Sequence, residues 1–274
     1  MNTLIINSNT RTAGTTTDDA TYKINWDFLK KGRYRLSWKY VETAPSNYTP
    51  FLLPDTAYYP FDGDIKNYKT GSGVVDATVN PGYTAKFDST VAGHKVGTSA
   101  YQYDVSAINT TWANGNWINT GVITRTPNMS FAGWFKFTNP GIQAQIQFSR
   151  LYDIGGGSSF RLHINNSNSL RWNDLILITA PAVFINIWTH IAWTTSNVAP
   201  VNVGGATARF YINGVLIRFN NLTSTQLQTG SGVGYFGHSF STNDPNYQGF
   251  IDDFRFYSRT LTQAEITSIF TNII

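Results

Sequence analysis

Cutting a glycosidic bond takes two carboxyl groups placed on either side of one sugar linkage. This chain holds two glutamates, Glu42 and Glu265, far apart and in unrelated contexts. Asp252 and Asp253 are adjacent. On a regular strand, neighbours point to opposite faces, so these two cannot share one substrate atom. The histidines, His94, His163, His190 and His238, are scattered, and none pairs with another at metal-ligand spacing. His190 lies between Trp188 and Trp193 in a strand pattern, which predicts a hydrogen-bonded packing role. No serine sits in a nucleophile elbow. The glycine run Gly155–Ser159 has no lysine and no helix after it, and reads as a loop rather than a phosphate cradle. With no cysteine, disulfides, thiol catalysis and thiolate metal sites are excluded. Together these residues predict a protein that is not an enzyme.

The rest of the composition describes what would carry a binding surface. The chain has 274 residues, enough for one large domain with an appendage. Aromatics make up 15% and charged residues 13%, the reverse of a disordered chain. Thr, Asn, Ser and Gly suit many strands and turns, and good helix formers are few, so the pattern predicts an all-β protein with one or two short helices. A formal net charge of +4 tolerates an anionic partner without requiring one. No window reaches the length of a membrane span, and the first residues lack the basic start and apolar run of a secretory leader.

Along the chain, residues 1–24 are polar and predict an arm. Tyr22, Ile24 and Trp26 alternate as a short strand would. From Arg33 to Val41 the period is two: Tyr34, Leu36, Trp38 and Tyr40 on one side, Arg33, Arg35, Ser37 and Lys39 on the other. A single-strand nucleic-acid binder wants aromatics and cations on one surface, so no specific nucleic-acid site is expected. Residues 43–56 hold Pro45, Pro50 and Pro54 and read as a linker. The expected division is therefore an arm and strand module over 1–56 and one domain over 57–274. Trp134, Trp188 and Trp193 sit in alternating strands and are expected in the core. Thr262 and Glu265 form a capping box that opens a short closing helix.

Several segments in order carry a family resemblance. Ala57–Asp64 is an aromatic strand running into Phe61-Asp62-Gly63. Asn67–Gly73 follows, then Phe131–Phe137 with its Trp134-Phe135 pair, then Trp188–Trp193 and Ala208–Ile217, alternating strand patterns with a tight turn at Asn213-Gly214, then Gly249–Ile266 with Asp252-Asp253 ahead of the closing helix. This order resembles the laminin-G-like, concanavalin A-like jelly roll over roughly residues 57–270. The resemblance implies a β-sandwich used for binding and packing. It also implies calcium, bound through Asp252 and the turn after the first strand. That turn has Asn67 where family members carry an acidic ligand, which leaves Asp64 or Asp62 to substitute. Strand parity groups Asp252 with Phe250, Phe254 and Phe256 and predicts an inward, buried carboxylate, engaged either by calcium or by backbone amides.

The leader from Ile6 to Trp26, followed by Gly32–Tyr40, looks like the start of structural proteins of nucleocytoplasmic large DNA viruses. That resemblance implies a minor capsid protein of the virion, made without a signal peptide. It would brace the major capsid lattice through contacts with the major capsid protein, with Arg11, Arg33, Arg35 and Lys39 as partner-binding residues. An extended polar arm beside an aromatic strand suits strand addition to a neighbour. The competing expectation is a carbohydrate-binding module or adhesin with glycans as partners.

Overall fold

Runs of aromatic and small residues build the centre of the molecule. The computed structural model describes residues 53–103, 116–138, 148–155, 160–165, 169–173, 175–179, 185–197, 206–222, 229–238 and 247–271. The chain separates into two units, residues 1–50 and 51–274, and all described residues belong to the second. The expected arm, the 33–41 strand, and with them Arg11, Arg33, Arg35 and Lys39, lie outside the described residues.

The strands are β1 (Ala57–Tyr59), β2 (Thr78–Val79), β3 (Phe87–Asp88), β4 (Ala100–Gln102), β5 (Ile118–Arg125), β6 (Met129–Phe137), β7 (Phe148–Ile154) and β8 (Phe160–Asn165). They continue with β9 (Ser169–Trp172), β10 (Leu175–Thr179), β11 (Thr189–Ser196), β12 (Ala206–Ile212), β13 (Val215–Leu222), β14 (Gly230–Phe236) and β15 (Gly249–Tyr257). One helix, α1 (Gln263–Thr271), follows. An eight-stranded sheet runs β13-β12-β11-β6-β15-β4-β3 with β1 also on β15, and a seven-stranded sheet runs β10-β9-β8-β7-β14-β5-β2. The strand pairs are antiparallel, and the expected all-β jelly-roll sandwich with one short C-terminal helix is what the chain forms.

The sheets meet through aromatic side chains. Trp193 of the first sheet packs on Trp172 of the second at 4.7 Å between ring centres, and Phe254 meets Phe236 at 4.6 Å. β6, β11 and β15 are buried along nearly their whole length, so both of their faces are covered. The second cover is α1. Ala132 and Ala192 face each other across β6 and β11, and their small size lets Ile266, Ile269 and Leu261 settle beside Tyr211 and Tyr257. Each such apolar side chain stabilises the fold by about 1.5–3 kcal/mol. The capping box is formed: Thr262 N–H donates to Glu265 Oε2 at 2.7 Å, and Glu265 N–H donates to Thr262 Oγ1 at 3.2 Å.

Three expectations about side chains are corrected. Trp193 and Trp134 are buried as expected, Trp193 in the sandwich core and Trp134 on the other face of its sheet, against His190 and Phe270 of α1, but Trp188 is only partly buried and rests on Phe250. His190 is fully buried, yet among the described residues neither ring nitrogen has a hydrogen-bond partner, and the ring packs on Trp134 and Phe270. The parity of β15 breaks between Asp252 and Arg255, where the strand takes one residue more than its partner β6. Asp253, at φ 46°, makes this bulge. Ile251, Phe254 and Phe256 therefore face the sandwich core, while Asp252 sits opposite Trp134 on the outer face.

Candidate functional site

The bulge turns both neighbouring aspartates away from the sandwich core, which a regular strand forbids. Asp252 Oδ2 accepts the backbone N–H groups of Lys95 at 2.7 Å and Val96 at 2.8 Å. Asp62 Oδ1 accepts those of Thr98 at 2.5 Å and Ser99 at 3.2 Å. The loop between β3 and β4 is thus hung from two carboxylates, one after β1 and one on β15. Asp252 is completely buried, and its Oδ1 has no hydrogen-bond partner among the described residues. Burial pushes its pKa up to about 8; the two amides pull it down, and the nearby Asp253 and Asp62 push it up. Asp253 is paired instead with Arg255: the guanidinium Nη2 lies 2.9 Å from Asp253 Oδ2, and both side chains are buried.

Calcium takes six or more oxygen ligands, several of them carboxylate. Asp64 does not join Asp252: its Oδ1 accepts Lys66 N–H and its Oδ2 accepts the Tyr68 hydroxyl. Asn67 spends its side-chain oxygen on Tyr58 N–H and Lys69 N–H, fixing the turn after β1. The groups aimed at Asp252 Oδ2 are amide hydrogens, of the wrong sign for a cation. Among the described residues no three acidic or histidine side chains are placed to hold a metal. These residues do not fit calcium, and amides engage the carboxylate.

A second polar cluster occupies the outer face of the seven-stranded sheet. Phe160, Leu162 and Ile164 of β8 and Leu170 and Trp172 of β9 point into the core. The residues between them therefore point outward. Across the sheet, Arg150 faces His163 and His163 faces Arg171. In the next row, Asp153 faces Arg161 on one side and Tyr235 on the other. Arg150, Asp153 and His163 form a buried floor, with Arg161 and Arg171 half-buried beside it. Arg150 Nε lies 3.7 Å from Asp153 Oδ2. Burial first, and then the charges of Arg150, Arg161 and Arg171, lower the His163 pKa to about 2, so the ring stays neutral.

Tyr235 continues this surface into a group of rings. Trp117 stacks on His238 at 4.8 Å between ring centres, nearly parallel at 13°, and Tyr235 meets both edge-on. Trp117 and Tyr235 are half-buried, and the shielded Trp117 Nε1 has no hydrogen-bond partner among the described residues. One face of one sheet thus presents two half-buried arginines, Arg161 and Arg171, and two partly open aromatic rings, Trp117 and Tyr235, above a buried floor of Arg150, Asp153 and His163. That is the equipment for holding a polar ligand that also has an apolar face.

The family model for Laminin_G_3, described as the concanavalin A-like lectin/glucanases superfamily, matches residues 110–267. The chain belongs to that superfamily. No curated protein matches this Laminin_G_3 chain. Solved structures share its fold. The botulinum neurotoxin serotype D ligand-binding domain, in complex with N-acetylneuraminic acid, is 14% identical with a TM-score of 0.53, over 79% of this chain and 50% of that one. The botulinum neurotoxin DC binding domain, in complex with rat synaptotagmin II, is 12% identical with a TM-score of 0.54, over 80% of this chain and 51% of that one. Domain 4 of the arabinanase AbnA from Geobacillus stearothermophilus, in complex with arabinotriose, is 18% identical with a TM-score of 0.49, over 78% of this chain and 97% of that one. The chain spans about half the length of the neurotoxin domains it matches.

The outer-face cluster was missed by sequence reasoning, although a signal exists. Phe160-Arg161-Leu162-His163-Ile164 and Leu170-Arg171-Trp172 alternate strictly, and the odd members are all basic. Only the pairing of β7, β8 and β9 turns scattered arginines and a histidine into neighbours.

Proposed function

We propose that this Laminin_G_3 chain is a non-enzymatic carbohydrate-binding module that reads glycans on the outer face of its seven-stranded sheet. The observation that carries the reading is the coexistence there of the Arg150–His163–Arg171 row and the Trp117–Tyr235–His238 rings. Sugars present hydroxyls at the ring edge and a C–H surface on the ring face, and such a wall matches both. A structure of the same fold solved with N-acetylneuraminic acid fits this reading. Binding without turnover is supported by Asp153, the carboxylate that the described residues place on this face, being buried and lying against Arg150. The test is a glycan array read with purified protein and with Trp117→Ala. Binding weakened about tenfold or more by the loss of the ring is the expected result. An array on which the wild type binds nothing would overturn it.

A second reading is favoured by a different observation. β13 is the edge of the eight-stranded sheet, and Val215, Leu216, Ile217 and Phe219 on it are exposed at 63%, 42%, 40% and 46%. An apolar open edge invites strand addition by another chain. This suits a virion structural protein that braces a capsid lattice through contacts with the major capsid protein. Ile217→Lys is expected to reduce incorporation into particles while leaving glycan binding intact. Unchanged incorporation would count against the capsid role.

A further inference from the structure

We infer that α1 is an acid-released lid: protonation of His190, which the helix buries, drives α1 off the outer face of the eight-stranded sheet while the sandwich stays folded. His190 stands in one cross-strand row with Trp134 and Asp252, on β11, β6 and β15. Its ring is wholly shielded, 5.2 Å from the Trp134 ring and 5.7 Å from that of Phe270 in α1. Among the described residues neither imidazole nitrogen has a hydrogen-bond partner, and the Nε1 of Trp134 beside it has none either. A neutral imidazole tolerates that place. An imidazolium does not, because it brings two N–H donors and a charge into an apolar slot.

Among the described residues no carboxylate is placed to offset such a charge. Asp253 of β15 is paired with Arg255, and Glu265 of α1 is paired with Arg259. Asp252, on the far side of Trp134, keeps its own proton below about pH 8. The other charged groups of this face are cations. Lys95 of the loop between β3 and β4 lies over the Trp134 ring at 4.9 Å, and Lys136 of β6 lies over Phe250. His94 of that loop is turned to the Thr90 carbonyl. From β12 come the Tyr211 phenol and Arg209, which lies over Phe219. Burial, and then the charge of Arg255, lower the His190 pKa from 6.5 to about 3. An uncovered imidazole therefore takes its proton near 6.5 and the covered one only near 3. The closed form is fully held above the first value and loses ground as pH falls. Between the two, the open form gains about tenfold per pH unit.

The helix is the element that yields. β11 is hydrogen-bonded along both edges, to β6 and β12. α1 is nine residues long and rests on the sheet through side chains, Ile266 and Ile269 among them. One polar tie crosses from it: Gln263 Nε2 donates to the Gly214 carbonyl at 2.7 Å. Segments held by few buried contacts open before the rest of a fold. Opening bares Ala132, Ala192, Tyr211 and Tyr257, so mild acid turns a closed face into an apolar one.

The test uses thiol protection. The chain has no cysteine, so a substituted one is its single thiol. Ile269→Cys places it under α1, and Ile164→Cys places it in the sandwich core. Reaction with dithiodipyridine is timed from pH 7.5 to 4.5 and divided by the rate of an unstructured peptide with the same flanking residues. Ile269→Cys should lose protection about tenfold per pH unit below pH 6.5, about a hundredfold by pH 4.5. Ile164→Cys should stay protected throughout. Adding His190→Gln or His190→Phe to Ile269→Cys should make protection flat with pH; each is first checked for cooperative melting at pH 7.5. Should either variant fail to fold, the other decides, together with the comparison of the two thiols. Protection at position 269 that does not change with pH would overturn the lid. So would an equal loss without the histidine, which would assign the response to another group. Loss at position 164 in step with position 269 would overturn it too, because the whole sandwich would then be unfolding.

Discussion

Asp252 is a buried acid whose second oxygen has no partner among the described residues, and its pKa, raised to about 8, has a measurable sign. The folded state holds this proton more tightly than the unfolded chain does, where the ordinary value is near 3.8. Stability from Asp252 is therefore full at low pH and is lost as pH rises through 8, by up to about 1.4 kcal/mol per pH unit. Denaturant unfolding of wild type and Asp252→Asn between pH 6.5 and 9 isolates the contribution. The wild type should weaken towards pH 8 while the asparagine variant, which can still accept from Lys95 and Val96, should stay flatter; parallel curves would sink the assignment. Asp253→Ala should cost about 3–5 kcal/mol in the same assay, because it strands the buried Arg255 guanidinium. The burial of Asp252 was legible in the sequence from its aromatic neighbours. Its face was not, because the bulge is made by Asp253, a residue that tolerates positive φ without advertising it as a glycine does.

Among the elements, the turn between β12 and β13 was the easier to read. Asn213-Gly214 between alternating apolar runs is a two-residue hairpin turn, and both residues take positive φ, 48° and 76°. Asn213 also accepts His190 N–H at 2.9 Å, tying the turn to β11. A Cβ on Gly214 would come within 2.9 Å of the Phe270 ring of α1. Gly214→Ala thus combines backbone strain with a push against the helix, and should destabilise by more than about 1 kcal/mol in thermal or denaturant unfolding. A variant as stable as wild type would mean that α1 gives way freely. The helix and its capping box were legible for the same reason as the turn: both are local patterns of a few residues. The arginine row was not, because Arg150, His163 and Arg171 become neighbours only through pairings between β7, β8 and β9, and the register of those pairings is set by which side chains fill the core.

At the scale of the molecule, the order of motifs along the chain indicated a sandwich, and the two sheets confirm it. What order could not convey is that the outer faces differ. On the capsid reading, removing residues 1–24 should leave the melting transition of the sandwich in place and reduce incorporation into particles; normal incorporation of the shortened chain would remove the arm from that role. The difference between the two faces has a practical result. α1 closes the outer face of the eight-stranded sheet, and the arginine and ring surface lies on the far side of the sandwich. A tether attached beyond α1 therefore approaches from the back. On the carbohydrate-binding reading, a module immobilised that way on a sensor chip, or strung on a longer polypeptide, presents this face outward, and many copies side by side engage a multivalent target without shielding one another.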